Sequence, residues 1–321
     1  FTDIWPFTML QTLSLITPIF ALIFSGWFIR KLNIVGSQAS VELNKFVVYL
    51  GLPALLFDII AHADWATIWK PSFIACFAIS TFVLFIIMAV VQWRKHKQLA
   101  NASLEALNAS YANVGYMGFP LLLSVFGNDS LTLTLTLIAT IVTVCILFAA
   151  SITLVEIGLQ PKTNKLKLFK TVSVRVLKNP LIFSPLIACI FPTAGIELPD
   201  AASKFLQMLG GAAAPCALVT LGLFLGNTKQ DLKTIKPTTL FIVTTKLFVH
   251  PALTWVLAVY VFNLPDTYTF AAVLLAALPT GTGPFMLAEF YGRDAQTTSK
   301  VILITTLLSI LTLTPLISAM Q

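Results

Sequence analysis

The sequence predicts an all-α polytopic membrane protein of ten transmembrane helices, arranged as two inverted five-helix repeats. Three observations lead there. Of the 321 residues, 57% are apolar and 10% charged, with a mean hydropathy of +0.90, whereas a soluble domain carries about a quarter charged residues. Uncharged runs of about 20 residues, the length of helix that crosses a bilayer core, follow one another down the chain. Landmark residues also recur at nearly one offset in the two halves. This composition leaves too little polar surface to coat a globule and excludes most soluble enzymes, disulfide-rich scaffolds and disordered chains. The net charge of +7 does not point to nucleic acid, because the sparse cations first serve membrane topology. Cys76, Cys145, Cys189 and Cys216 stand singly in apolar runs and read as packing residues.

Eight uncharged runs are plain, at 7–29, 71–93, 106–128, 130–155, 179–196, 205–228, 267–288 and 301–321. Two more carry one charge each, 46–63 with Asp58 and 237–264 with Lys246. The first run has no basic residue before it and no short apolar core ending in a cleavage site, so it reads as a retained span. With the N-terminus outside, 17 of the 20 basic residues fall in or beside inner loops, only Lys70 and Lys204 lie outside, and Lys246 is intramembrane. Asp3, Asp64, Asp129, Glu197, Asp200 and Asp266 then lie outside. Basic residues stay preferentially on the cytoplasmic side, so both termini are expected on the outer side of the membrane.

Gly127 and Gly292 close the fourth and ninth spans 165 residues apart, and Gly118 and Gly283 keep that offset. Pro18 and Pro185, Pro53 and Pro215, and Pro71 and Pro237 are 167, 162 and 166 residues apart. Because five is odd, the second copy enters the membrane from the opposite side. The domains are therefore read as a first repeat at 1–159, a basic cytoplasmic linker at 160–178 suited to anionic lipid, and a second repeat at 179–321.

The fourth span contains Asn113-Val114-Gly115-Tyr116-Met117-Gly118-Phe119-Pro120 and the ninth contains Pro279-Thr280-Gly281-Thr282-Gly283-Pro284. Gly weakens a helix, and Pro removes a donor and clashes with the preceding turn, so both spans should unwind near their middles. Unwound backbone is tolerated at membrane depth only when buried in protein or lining a cavity. Matched breaks in two repeats point to a substrate site at the midplane, and the helix beginning after each break presents free N–H groups to an anion.

Lys246 lies nine residues past Pro237, roughly 13 Å into the membrane, where a cation must face a partner or water. It reads either as a counter-charge to a carboxylate or to carbonyls at a break, or as part of the substrate or proton path. His250 shares its face at i+4. Glu289 is intermediate in depth, while Asp58, Glu105 and Glu156 lie near helix ends.

These residues resemble the auxin efflux carrier superfamily, which includes plant auxin exporters and bacterial malonate and malate permeases. The stretch from Asn113 to Pro120 is similar to its crossover signature, and that from Pro279 to Gly292 to the ninth-helix pattern of its bacterial branch. Leu52 to Phe57, Ala217 to Gly226, and Lys246 with Pro251 resemble its second, seventh and eighth helices. The resemblance implies an NhaA-like fold in which helices 1, 2, 6 and 7 form a scaffold and helices 3–5 and 8–10 a mobile core, often as a homodimer. A long cytoplasmic loop like that of the plant exporters is absent between the fifth and sixth spans, which favours an organic acid over auxin.

The resulting expectation is a secondary transporter of a small mono- or dicarboxylate, working by alternating access without a cofactor or metal. Asn113, Gly115, Tyr116, Gly118 and Pro120 with Pro279, Thr280, Gly281, Thr282, Gly283 and Pro284 are the expected pocket. An interior-negative potential drives an uncoupled monoanion outward by about 2.3 kcal/mol per 100 mV. Uptake needs H+ or Na+, with Glu289, Asp58 and His250 as coupling candidates and Lys246 as a further charge. The alternatives are an anion channel, or an ion-coupled carrier of another small solute. An intramembrane enzyme lacks its chemistry here: the three histidines make no HExxH and there is no midplane aspartate pair.

Overall fold

Apolar runs become helices throughout the computed structural model, which describes residues 9–127, 130–160, 165–227 and 235–319. Asp3, Asn128, Asp129, Lys162, Lys229 and Lys233, and the outermost residues of the first and last spans, lie outside them. In chain order the helices are α1 (Met9–Lys31), α2 (Ala39–Ala61), α3 (Pro71–His96), α4 (Leu99–Ser110), α5 (Val114–Phe126) and α6 (Ser130–Leu159). They continue as α7 (Lys165–Lys178), α8 (Pro180–Ala194), α9 (Asp200–Asn227), α10 (Pro237–Val261), α11 (Asp266–Ala277), α12 (Gly283–Phe290) and α13 (Ala295–Ser318). Among the described residues the only β pairing is one isolated bridge. The chain is thus an all-helical, polytopic membrane protein.

Six helices, α2, α3, α6, α9, α10 and α13, are each long and apolar enough to cross a bilayer, and α8 makes a seventh when joined to the end of α7 across a 72° bend. The fourth and ninth apolar runs are each divided, into α4 with α5 and α11 with α12. Several helices extend beyond their apolar runs because polar turns find partners inside the protein. α2 begins at Ala39, not 46: Ser40 and Asn44 are buried, and Asn44 Nδ2 donates to the Met286 carbonyl at 3.2 Å. α4 begins at Leu99, not 106, which brings Glu105 inside the helix, 3.9 Å from His96 Nε2.

Small residues set the closest packing. Along α1 and α9, a Cβ on Gly26 would sit 2.2 Å from the Val219 carbonyl oxygen, and one on Gly222 would sit 2.0 Å from that of Ile23. Such positions let two backbones touch where lipid offers no hydrophobic drive for association. α2 lies against α8 and α9, α3 against α4 and α10, and α4 against α6. α11 packs on α10, α6 and α13, while α12 packs on α13 and the start of α2.

Asp294 starts α13. Its Oδ1 accepts from the N–H groups of Gln296 (3.1 Å) and Thr297 (3.0 Å), and its Oδ2 accepts from the Thr297 hydroxyl at 2.7 Å. Burial opposes ionisation, but the Thr297 bonds, with Lys236 3.8 Å away, outweigh it and hold the carboxyl below its ordinary value. A depressed folded value means that the stabilisation is complete above the unfolded value of about 3.9 and is lost as pH falls through the folded one. Asp294→Ala should therefore cost about 1 kcal/mol at neutral pH. Thermal unfolding should show the gap from the native protein narrowing in acid; a gap independent of pH would remove the charge from this account.

Candidate functional site

The two breaks meet. After Ser110 the backbone turns extended at Tyr111 (φ −82°, ψ 94°), and after Ala277 it does so at Leu278 (φ −55°, ψ 147°). Ala112 and Thr280 pair as an antiparallel bridge: Asn113 N–H donates to the Pro279 carbonyl at 2.9 Å and Gly281 N–H to that of Tyr111 at 3.2 Å. Each broken helix thereby satisfies groups that lipid cannot. α13 and α4 supply the rest, for Thr280 N–H donates to Thr305 Oγ1 (3.2 Å) and its hydroxyl to the Asn108 carbonyl (2.8 Å).

The first break lies upstream of the glycines expected to cause it. Residues 114–118 form a wide π-type turn that runs into the helix Phe119–Phe126, a feature frequent at functional sites. Pro284 stands in the first turn of α12, where a missing N–H costs nothing and the fixed φ suits the helix, and it therefore starts the second half rather than breaking the span. Pro120 lies inside α5, just after the π-type turn, and so also follows the gap. Gly118 is buried against Leu275 and Thr136.

A cavity of about 60 Å³ opens at the crossing, room for a few water-sized groups. Its polar wall is Tyr111, Asn113, Gly115, Tyr116 and Thr282; Leu52 and Leu55 of α2, Ala213, Ala217 and Leu218 of α9, and Met286 make it apolar elsewhere. Among the described residues no charged side chain lines it. Of the expected pocket, Asn113, Gly115, Tyr116 and Thr282 are brought together here, while Gly118, Pro120, Pro279, Thr280, Gly281, Gly283 and Pro284 do not line the cavity. Thr280 has both its donors engaged, so it holds the crossing and has none left for a solute.

Tyr111 is the wall residue that sequence reasoning missed. Its ring lies over Gly281 and Gly283 and beside Phe148, with ring centroids 5.7 Å apart. The available signal was its place two residues before Asn113. The small residues from Gly210 to Ala214 likewise marked the close approach of α9.

The charged candidates separate. Lys246 is fully buried in a π-type turn of α10; its Nζ donates to the Ala276 carbonyl at 2.6 Å and lies 3.0 Å from His250 Nδ1. His250 Nε2 lies 3.3 Å from the Thr81 hydroxyl. Ala276 belongs to the last turn of α11, whose carbonyls lack helical partners and carry partial negative charge. Lys246 Nζ is thus a buried hydrogen-bond partner of a carbonyl at the end of the first half of the broken ninth span. Asp58 is 3.1 Å from His62 at the end of α2, and Glu289 is half-buried near the end of α12; neither lines the cavity.

Comparisons with known proteins find membrane transporters. The family model described as "Membrane transport protein" matches residues 12–317. The "Putative malonate transporter" of Rhizobium meliloti (strain 1021) is 30% identical over 314 residues, covering 96% of each chain. "Uncharacterized transporter YfdV" of Escherichia coli (strain K12) is 23% identical over 87% of this chain and 88% of its own. "Auxin efflux carrier component 8" of Arabidopsis thaliana is 22% identical over 83% and 85%. With a family model covering nearly its whole length and helices built for the bilayer, the chain belongs to the membrane transport protein family, within the auxin efflux carrier superfamily.

Proposed function

We propose that this transporter moves a small organic anion, a mono- or dicarboxylate, by alternating access around the crossed breaks. The observation that carries the reading is the bridged crossing of residues 111–113 with 278–282. Beside it lies a cavity whose side-chain donors are unspent: Tyr111, Asn113, Tyr116 and Thr282 make no side-chain hydrogen bond among the described residues. At the start of α5 Val114 N–H is spent on the Ala112 carbonyl and Met117 N–H on that of Asn113, which leaves the N–H groups of Gly115 and Tyr116 to add partial positive charge on the same wall. A cavity without carboxylates suits an anion, and the 30% identity to a protein named for malonate supports that class.

In this reading the chain crosses the membrane ten times as two inverted repeats. α1, α2, α8 and α9 form the scaffold of an NhaA-like fold, and the helices carrying the breaks form the moving core. The cavity lies between the two groups, where a shift of one past the other opens it to alternate sides. Proton or sodium coupling would work through groups away from the cavity wall, with Glu289, Asp58 and His250 as candidates.

Counterflow of labelled small carboxylates in proteoliposomes, with and without pH and sodium gradients, tests the function; saturable exchange is expected, and single-channel currents would replace the carrier by a channel. Asn113→Ala tests the site. Losing a hydrogen bond to a charged group costs about 1.5–3 kcal/mol, so apparent affinity should fall by about ten- to a hundred-fold with an unchanged melting temperature. Native affinity in the variant would take Asn113 out of the site.

A further inference from the structure

We propose that the elbow between α7 and α8 is a binding site for an anionic phospholipid, with the acyl chain in an apolar groove and the phosphate on Lys178. The two helices meet at 72°, and the bend is held by its own contacts. Asn179 is buried and its side chain accepts from Leu181 N–H at 3.0 Å, while Pro180 opens α8. Val172 is buried on the inner face of α7. Arg175 reaches Glu156 at the end of α6 (3.6 Å), and the other oxygen of Glu156 accepts from the Tyr291 hydroxyl at 2.9 Å. The elbow is therefore a fixed shape.

Its open side is a groove of about 510 Å³ lined by Val174, Leu177, Phe183, Leu186 and Ile190, with Lys178 at the rim. Phe183, Leu186 and Ile190 are each more than half exposed, at 54%, 52% and 56%. On an apolar helix of a membrane protein, such a face meets hydrocarbon and not water. From Phe183 to Ile190 the helix rises roughly 10 Å, which falls within one leaflet of a core about 30 Å thick.

Charge selects the lipid. Lys170, Val174 and Lys178 recur every four residues and so share one ridge of α7, the ridge that borders the groove through Val174 and Lys178. Between Glu156 and Glu197 the chain has six basic residues and no acidic one, so no carboxylate in that stretch competes for these cations. Arg175 already has its partner in Glu156, which leaves the lysines for a phosphate. A zwitterionic lipid would fill the groove equally well but bring its own cation to a basic ridge. The site lies apart from the crossing and does not depend on which solute passes there.

Native mass spectrometry of the purified chain, incubated with phosphatidylglycerol or phosphatidylcholine of the same acyl chains, reads the site directly. Phosphatidylglycerol should be retained about five- to thirty-fold over phosphatidylcholine, the span between Lys178 acting alone and both lysines contributing fully. Lys170→Gln with Lys178→Gln should abolish that preference. Leu186→Trp, which fills the groove without changing charge, should lower retention of phosphatidylglycerol. Both changes fall at exposed positions, and the lipid comparison on the native protein needs neither. Equal retention of the two lipids, or a preference that survives both folded variants, would overturn the proposal. Displacement of the lipid by millimolar inorganic phosphate would also overturn it and assign the lysines to a soluble anion.

Discussion

Replacing Lys246 by Met is expected to destabilise the protein and to stop transport. The ammonium donates to the Ala276 carbonyl at the broken end of α11 and contacts His250, with no exposure at all. Met fills much of the volume but donates nothing, so a carbonyl and a ring nitrogen lose their partner where no water replaces it. A buried acceptor left without its donor costs about 1–3 kcal/mol, and a lower melting temperature in detergent should report that loss. Transport should fall further than stability, because the unpaired turn is the one from which the chain enters the crossing. Gln at the same position can still donate to the carbonyl. If Lys246→Gln recovers the melting temperature without recovering counterflow, the charge itself serves the solute. Native stability together with native transport in Lys246→Met would leave this residue without a role.

A single methyl group at Gly283 should have an effect of the same order by a different route. A Cβ there would lie 2.7 Å from Cζ and 2.9 Å from the hydroxyl oxygen of Tyr111. The ring is buried against Phe148, so it has no free space away from the methyl group except the cavity it lines. Overpacking of this kind costs about 1–3 kcal/mol. Displacing the ring would also fill a space of about 60 Å³, so Gly283→Ala should fold with reduced stability and show almost no counterflow. The double variant with Tyr111→Ala removes the ring and should restore part of the transport. If Gly283→Ala alone transports normally, the cavity at the crossing is not the path.

How much of this was legible beforehand differs from residue to residue. The breaks in the fourth and ninth spans occur within a few residues of the Gly and Pro residues that signalled them, although the first lies upstream of Gly115 and Gly118 and both Pro120 and Pro284 follow the gaps. The need of Lys246 for a partner inside the protein followed from its place within an apolar run, and the residue is fully buried and bonded to the Ala276 carbonyl. The first turns of α2 were not legible, because Asn44 is polar and its place inside the protein depends on a carbonyl 242 residues away. Tyr111 was hidden for a similar reason: its position over Gly281 and Gly283 depends on a segment from the other half of the chain. Thr280 looked like a ligand for a solute because it carries two donors, and both are consumed by Thr305 and Asn108.

By itself the sequence determined the all-helical, membrane character of this protein and, to within a few residues, the two places where its helices give way. Those properties are sums over neighbouring residues: apolar area, helical rise, and backbone donors lost or weakened at Pro and Gly. Only the tertiary structure decided which hydrogen-bonding groups are spent and which are left over. Thr280 is engaged and Asn113 is not, and Lys246 faces a carbonyl and not a carboxylate. Such outcomes are settled between segments far apart in the chain, because in a medium without water each exposed N–H or C=O must find its partner wherever the fold brings one within 3 Å or so.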